Sequence, residues 1–492
     1  MTKKILVTGG LVLVGDPRRR DLRRVDVLVE NGRISQLTPH GVLSADAHAG
    51  NGAGGAAAGA EVIDATDHWV IPGFVDTHTT LWQSTMRALT GDWLLDDYFW
   101  CIRMNHMLAY TAADVYASTF GGVVAQLGAG VTTTVDFSHC VNTPEHADAG
   151  VEAIIDVGGR AVWCYGFWSP SPQTPAFAFV EERFRDARRI ASTYFPSPGG
   201  RVTFGVSPTE TFRAPYEQIK NEFLVGLETG GLVHPHTNTR WRPGARSDIE
   251  VWHEQGILWE HQLHAHCNTS TERDFQLLAE VGAAVSATPE TELAMGMGPN
   301  ILASADRAGV NVGIGADIQA NNSPDSLTSM RLAMQTALAN ATHPVREEPV
   351  PAPDGEPTLR PEDVLHFQTL GGARALGLGD VCGSIEVGKA ADLVLIDTRT
   401  PRLRPVIDPI AAIVLQVSVA DIATVLVDGR VAKRNGELDP ALSRRAQRLL
   451  EESGTRVARA VRERGGWMPP RPHVTIRPNH KGVPGLGEVA EL

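Results

Sequence analysis

The chain has 492 residues, of which 42% are hydrophobic and 21% are charged. This composition supplies enough apolar side chains for a large core and excludes a wholly disordered chain. The net charge is −13 at pH 7, and no cluster of lysine and arginine is long enough to follow a phosphate backbone, so nucleic acid is not expected as a partner.

The cysteines and the N-terminus indicate a cellular location. The five cysteines are scattered and never form a CxxC pair, which argues against a disulfide framework and against a cysteine-type zinc site. Glycines interrupt the apolar start of the chain, and a charged run follows at 16–20, so this segment favours strands over a signal peptide. No apolar run approaches the ~18 residues of a membrane span. We therefore expect a cytoplasmic protein without membrane contact.

The N-terminal residues favour β-structure. Lys4–Thr8 and Val25–Val29 are short runs rich in β-branched residues, and Asn31-Gly32 is a strong hairpin signal. Residues 49–60 are a low-complexity glycine and alanine run, which predicts a flexible loop.

From Trp69 to Asp317, apolar strands alternate with amphipathic segments such as Ala112–Leu127 and Glu272–Val281. This alternation predicts parallel strands with right-handed crossovers. The eight predicted strands are His68–Thr79, Gly130–His139, Arg160–Phe167, Arg201–Pro208, Gly231–Asn238, Leu258–Cys267, Ala283–Pro289 and Val310–Asp317. Eight units predict a TIM-like (β/α)8 barrel, with a doubly wound sheet as the alternative. The barrel is favoured because almost every strand ends in or near a polar residue, and such barrels carry their chemistry at the C-terminal strand ends.

The rest of the chain returns to β-structure. Residues 345–357 are a proline-rich acidic loop, and Pro361–Leu376 predicts a helix. Further β-segments are predicted at Gly383–Asp397 and Ile422–Val431, and Ala441–Arg464 predicts a charged helix. We expect the β-segments from both chain ends to form one small β-sandwich domain. The predicted domains are 1–67 (first part of the sandwich), 68–378 (the barrel with C-terminal helices), 379–440 (second part of the sandwich) and 441–492 (helix and tail).

Polar residues at four predicted strand ends indicate a metal site. His78 ends the first strand, His234-Pro235-His236 ends the fifth, His264-Ala265-His266 ends the sixth and Asp317 ends the eighth. Imidazoles and one carboxylate at a barrel mouth are typical ligands of Zn²⁺ or Fe²⁺. The first histidine of each pair lies two residues deeper, where a buried structural role is expected.

Seven motifs spread over nearly the whole chain are typical of one protein family. They are PGFVDTH (72–78), GVTTTVDF (130–137), HAHCNTSTERDFQLLAEVGAAVSATPE (264–290), VNVGIGAD (310–317), GARALG (372–377), GSIEVGKAADLV (383–394) and VLVDGR (425–430). In this order and spacing, the chain resembles the amidohydrolase superfamily, in its cytosine deaminase and chlorohydrolase branch. The resemblance implies a hydrolase acting on a carbon–nitrogen bond, other than a peptide bond, in a small cyclic or aromatic substrate. It also implies a homodimer or a larger homo-oligomer.

The resemblance implies a role for each strand-end residue. His78 corresponds to the first histidine of the strand-one pair, and His236 corresponds to the strand-five metal histidine. His266 corresponds to the strand-six histidine that contacts substrate or metal, and Asp317 corresponds to the aspartate that binds metal and moves a proton. The expected cofactor is one divalent ion, Zn or Fe, and the expected ligands are His78, His236, His266 and Asp317.

Several positions depart from the family pattern, among them residues 286–290, where many relatives have a histidine before the proline. Thr80 stands where the second histidine of the strand-one pair is expected, and a neutral hydroxyl is a poor metal ligand beside imidazole. Thr239 stands where relatives have the glutamate that protonates the substrate ring. These departures leave two alternatives open. One is a non-hydrolytic, metal-free acid–base enzyme (a cyclase, lyase or isomerase) on the same fold, and the other is a binding protein without activity.

Other side chains near the predicted mouth are candidates for catalysis or substrate binding. His139 ends the second strand and Glu210 follows the fourth, so both are predicted to exchange protons together with His266 and Asp317. Aromatic rings in such loops often pack against a flat substrate. The predicted substrate-binding residues are Trp82, Trp93, Tyr165, Trp168 and Glu290.

Overall fold

Both chain ends contribute strands to one sheet. In the computed structural model, the described residues are 4–43, 55–168, 176–197, 199–211, 213–239, 244–342 and 359–470, with the short strands 477–478 and 487–488. Residues 49–54 of the predicted loop 49–60 lie outside the described residues, and the predicted loop 345–357 lies entirely outside them. The N-terminal strands are β1 (Lys4–Thr8), β2 (Leu11–Leu13), β3 (Leu22–Glu30), β4 (Arg33–Pro39), β5 (Glu61–Asp64) and β6 (His68–Pro72).

A closed barrel of parallel strands follows. Its strands are β7 (Phe74–Thr80), β8 (Val131–Ser138), β9 (Arg160–Gly166), β10 (Val202–Ser207), β11 (Leu232–Val233), β12 (His236–Thr237), β13 (Leu263–His266), β14 (Ala284–Ala287), β15 (Asn311–Ile314) and β16 (Asp317–Ile318). β11 with β12 and β15 with β16 form the split fifth and eighth positions, and β16 pairs with β7 to close the ring. The predicted (β/α)8 barrel is confirmed.

The first predicted barrel strand is wrong in its first half. The stretch His68–Thr79 is two strands in two sheets, because β6 pairs antiparallel in the small domain and β7 pairs parallel in the barrel. Gly73 separates them. A Cβ atom at Gly73 would lie 2.2 Å from the Thr132 hydroxyl oxygen, so this close approach requires glycine.

Helices surround the barrel. They are α1 (Leu95–Tyr98), α2 (Ala112–Gly128), α3 (Pro144–Val157), α4 (Val180–Tyr194), α5 (Tyr216–Thr229), α6 (Asp248–Glu254), α7 (Glu272–Val281), α8 (Pro289–Ala294), α9 (Leu302–Arg307), α10 (Ser326–Thr342), α11 (Pro361–His366), α12 (Gly372–Ala375), α13 (Pro409–Leu415) and α14 (Pro440–Glu463). Shorter turns of 3₁₀ or π type lie at Pro17–Arg19, Leu81–Met86, Phe99–Arg103, His106–Ala109, Phe367–Gly371, Pro401–Leu403 and Val419–Asp421. None of the helices in the described part of the chain has both the length and the apolar character that a membrane crossing needs.

The C-terminal strands complete the small domain. They are β17 (Leu393–Asp397), β18 (Ile422–Val427), β19 (Arg430–Arg434) and β20 (Glu437–Leu438), and β21 (Arg477–Pro478) pairs separately with β22 (Gly487–Glu488). The ten-stranded sheet has the order β20-β19-β18-β17-β6-β2-β3-β1-β5, with β4 beside β3. Apolar residues of β1, β3, β6, β17 and β18 share one core. The prediction of a small β-domain formed from both chain ends is confirmed, although only Leu393–Asp397 of the segment Gly383–Asp397 is a strand.

Candidate metal centre

The four residues predicted to bind metal come together at the C-terminal ends of the barrel strands. His78 lies in β7, His236 in β12, His266 in β13 and Asp317 in β16. One ring nitrogen from each histidine lies within 4.8 Å of the other two. Asp317 Oδ1 is 3.2 Å from His78 Nε2. We call these four residues the metal group.

Hydrogen bonds fix the proton position on His78. His234 Nδ1 donates to the carbonyl of Leu263, so a neutral His234 ring has its acceptor at Nε2. His78 Nδ1 therefore donates to His234 Nε2, at 2.7 Å. Burial lowers the pKa of His78 well below its usual value and keeps the ring neutral. His78 Nε2 then carries a lone pair.

Nδ1 of the other two imidazoles also has a hydrogen-bond acceptor. His236 Nδ1 donates to Glu210 Oε1 at 3.1 Å. The Thr288 hydroxyl donates to Glu292 Oε1 at 3.3 Å, which leaves its oxygen to accept from His266 Nδ1 at 3.1 Å. Because each Nδ1 carries a proton, Nε2 is the nitrogen of each ring that can offer a lone pair to a metal.

These donors fit a divalent metal ion. His78 Nε2 is buried and has no hydrogen-bond partner among the described residues. A lone pair 3.2 Å from a carboxylate oxygen is repelled unless a cation or a proton lies between them. Three neutral imidazoles and one carboxylate are ligands that Zn²⁺ and Fe²⁺ accept, and contacts at each Nδ1 orient such ligands. His78, His236 and His266 therefore form a group that could hold a metal.

Thr80 supports the backbone of Asp317. The Thr80 hydroxyl donates to the carbonyl oxygen of Asp317 at 3.0 Å, and the Thr79 hydroxyl donates to the same oxygen at 3.2 Å. Asp317 has φ +60°, a left-handed conformation that costs free energy in residues other than glycine. The hydroxyl that replaces the expected histidine thus contacts the backbone next to the metal group.

Glu210 lies behind His236. Besides accepting from His236, it accepts from Arg103 Nη1 at 3.3 Å, and Arg213 Nε is 3.7 Å from its second oxygen. Burial raises the pKa of Glu210, but the charge of Arg103 and the hydrogen bond from His236 outweigh burial and hold the pKa well below its usual range. Glu210 is therefore a carboxylate at neutral pH and is suited to orienting His236 rather than to donating a proton.

His139 has its ring proton on the nitrogen that does not face Trp82. Trp82 Nε1 donates to His139 Nδ1 at 3.3 Å, so the proton of the neutral ring is on Nε2. Burial lowers the pKa of His139 well below its usual value. The His139 ring lies 5.6 Å from the His236 ring. With its lone pair directed at Trp82, His139 is not arranged as a further metal ligand.

The other residues predicted to bind substrate are spread over several environments. Trp168 lies near the site, with its ring 4.7 Å from Arg103 Cζ, and Trp93 is buried in the hydrophobic cluster against which Trp168 packs. Tyr165 is not brought to the metal group, because it faces the helices and its hydroxyl donates to Asp186 of α4 at 3.0 Å. Burial raises the pKa of Glu290 to about 7, and the nearby charge acting on this carboxyl is that of Asp325.

Sequence reasoning missed the residues that orient the histidines. His234 was expected to be only structural, yet it holds the proton position of His78. Glu292 was not singled out, although it lies 3.4 Å from His266 Nδ1. A signal for Glu292 was available, since Thr288 precedes the first turn of α8 and a residue four positions later can fold back onto it.

Comparisons with known proteins identify relatives of this chain. The model of the Amidohydrolase family matches residues 69–432. A 5'-deoxyadenosine deaminase from Methanothermobacter thermautotrophicus is 27% identical over 467 residues, which cover 92% of this chain and 99% of the relative. The structure of an adenosine deaminase from Xanthomonas campestris with bound zinc has a TM-score of 0.76 at 22% identity and covers 92% of this chain and 99% of its own.

A second solved structure represents the chlorohydrolases. It is a mutant atrazine chlorohydrolase from Arthrobacter aurescens complexed with zinc and atraton, with a TM-score of 0.76 at 19% identity, covering 92% of this chain and 100% of its own. The two solved structures support the fold, and the deaminase relative agrees with an enzyme that hydrolyses carbon–nitrogen bonds. Because the family match spans most of the barrel and part of the small domain, the chain belongs to the amidohydrolase family.

Proposed function

We propose that the chain is a metal-dependent hydrolase that deaminates a small cyclic or aromatic substrate. The observation that carries the proposal is that three clustered imidazoles each have a hydrogen-bond partner at Nδ1, which leaves Nε2 of each ring available to a metal, and that Asp317 lies beside His78. A divalent metal held by the metal group would lower the pKa of an attacking water and polarise the bond to be cleaved. The similarity to a deaminase supports the choice of leaving group.

Asp317 would move the proton in this reaction. Burial raises the pKa of Asp317 despite the opposing charges of His266 and His236, which makes its carboxylate a better base than an exposed one. It accepts a proton from the attacking water and returns it to the leaving nitrogen. His236 and His266 keep their orientation through Glu210 and Thr288.

The proposal is tested by metal analysis together with an assay for ammonia release. Protein purified without chelator is expected to hold about one zinc or iron per chain, and to deaminate at least one member of a panel that includes adenosine, 5'-deoxyadenosine, 5-methylthioadenosine and guanine. Chelation should abolish this activity, and added metal should restore it. A metal-free protein that converts its substrate without releasing ammonia would instead favour the acid–base alternative.

The variant Glu210→Gln is expected to lower metal affinity about 10- to 100-fold, because a neutral amide holds the Nδ1 proton of His236 less strongly. Competition with a chromogenic chelator measures this affinity. The matched control is Glu228→Gln, which alters an exposed carboxylate paired with Arg188 and should leave the affinity unchanged. Equal affinities in wild type and Glu210→Gln would show that Glu210 does not support the ligand.

We also propose that the protein works as a homo-oligomer in a reducing cytoplasm. The five cysteines are buried and are scattered along the chain, which is compatible with that compartment. Light scattering of the purified protein tests the oligomeric state, and a monomer at working concentration would contradict it.

A further inference from the structure

Two buried N–H donors near the metal group have no acceptor among the described residues. One is Nε2 of His139, which carries the ring proton because Trp82 donates to Nδ1. The other is Nε of Arg103, whose side chain is almost fully buried. A buried donor without an acceptor is costly, so native structures seldom leave one unless a ligand or water supplies the acceptor.

Both donors lie near His236. Arg103 reaches His236 through Glu210, which accepts from Arg103 Nη1 at 3.3 Å and from His236 Nδ1 at 3.1 Å. The His139 ring lies 5.6 Å from the His236 ring.

Aromatic rings and a second guanidinium surround Arg103. Its Cζ lies 5.0 Å from the Phe99 ring and 4.7 Å from the Trp168 ring. Arg213 Cζ lies 3.4 Å from the Phe99 ring and 4.9 Å from the Trp168 ring. Glu210 thus faces two guanidinium groups and one imidazole N–H with a single negative charge.

We propose that the substrate carries a carboxylate, which accepts hydrogen bonds from Arg103 Nε and His139 Nε2 while the amino group to be removed lies at the metal group. A carboxylate offers two oxygens that accept hydrogen bonds, which matches the two N–H donors and the excess of positive charge that Arg103 and Arg213 have over Glu210. The Phe99 and Trp168 rings beside Arg103 favour a planar substrate. This inference rests on the proposed function and narrows its substrate to aromatic or heteroaromatic amines that carry a carboxylate.

The test compares nicotinate with nicotinamide, a planar carboxylate and its neutral amide, by isothermal titration calorimetry at pH 7. Wild type is expected to bind nicotinate about tenfold more tightly than nicotinamide, because a charge-assisted hydrogen bond is lost with the amide. The zinc-loaded protein and the chelated protein should both prefer nicotinate. If the carboxylate bound only the metal, chelation would abolish this preference.

Variants separate the two donors from general effects. Arg103→Met and His139→Phe should each reduce the preference for nicotinate to less than about twofold, because nicotinate loses a charge-assisted hydrogen bond and nicotinamide loses at most a neutral one. Arg103→Lys and His139→Gln keep a donor and should retain part of the preference. They serve as a second test if Arg103→Met or His139→Phe fails to fold. Glu210→Gln removes the competing charge and should strengthen nicotinate binding. Arg188→Met, at an exposed ion pair, is the matched control.

Each outcome decides the proposal. Equal binding of the two probes by wild type, or a preference that Arg103→Met and His139→Phe leave intact, overturns it and shows that water alone satisfies these donors. Hydrolysis of neutral amines without a carboxylate preference also overturns it but leaves the proposed function standing. A carboxylate preference that depends on Arg103 and His139, in a protein that releases no ammonia, supports this site and contradicts the proposed function.

Discussion

Replacing Asp317 by asparagine is expected to lower kcat about 10³-fold. Asparagine keeps the shape of the side chain and tolerates the left-handed backbone at φ +60°, so the fold should remain. It cannot accept the proton that the buried carboxylate accepts, and it is a weaker metal ligand. The measurement is kcat for the amine that the wild type converts, together with the metal content of the variant.

Saturating zinc separates the two roles of this residue. If Asp317 only holds the metal, excess zinc should restore kcat, whereas a proton-transfer role predicts that kcat stays low in the fully loaded protein. Asp156→Asn, at an exposed carboxylate paired with Arg445, is the matched control and should retain wild-type kcat. A loaded Asp317→Asn protein with full activity would contradict the role proposed for Asp317.

The barrel could be predicted because apolar strands alternate with amphipathic segments along the chain. Each barrel strand is buried by the helices outside and by the barrel interior, so its apolar run is visible in sequence. The boundary at Gly73 could not be predicted in this way, since β6 and β7 are both buried next to it and the need for glycine arises from Thr132 on another strand. The orientation of Tyr165 was likewise set by its contact with Asp186 on α4.

The metal group could be predicted because parallel strands end at the same rim. His78, His236 and His266 each stood near such an end, and no contact information was needed to bring them together. Their protonation states depend on partners that lie far away in sequence, such as Glu210 for His236. The position of Glu210 after its strand suggested a catalytic acid or base, whereas its neighbours Arg103 and His236 determine that it is ionised.

The motif residue Asp392 joins the barrel to the small domain. Arg160, at the start of β9, donates from Nε to Asp392 Oδ2 at 2.9 Å, and both side chains are buried. The other oxygen, Asp392 Oδ1, accepts from the backbone N–H of Asp428 at 2.7 Å. The Asp392 backbone carbonyl accepts from Gly73 N at 2.9 Å, where the chain passes from β6 to β7. Asp392 therefore connects three segments, two through its carboxylate and one through its backbone carbonyl.

Asp392→Ala is expected to lower the free energy of unfolding by about 3–5 kcal/mol, because it leaves the buried Arg160 charge without its main partner. Denaturant unfolding followed by fluorescence measures the change, and Asp156→Ala should be close to wild type. The double variant Arg160→Met/Asp392→Leu removes both charges and should be more stable than Asp392→Ala alone, since the cost lies in the unpaired charge rather than in the lost attraction. A double variant as unstable as the single one would show that the backbone contacts of Asp392, and not its ion pair, hold the two domains together.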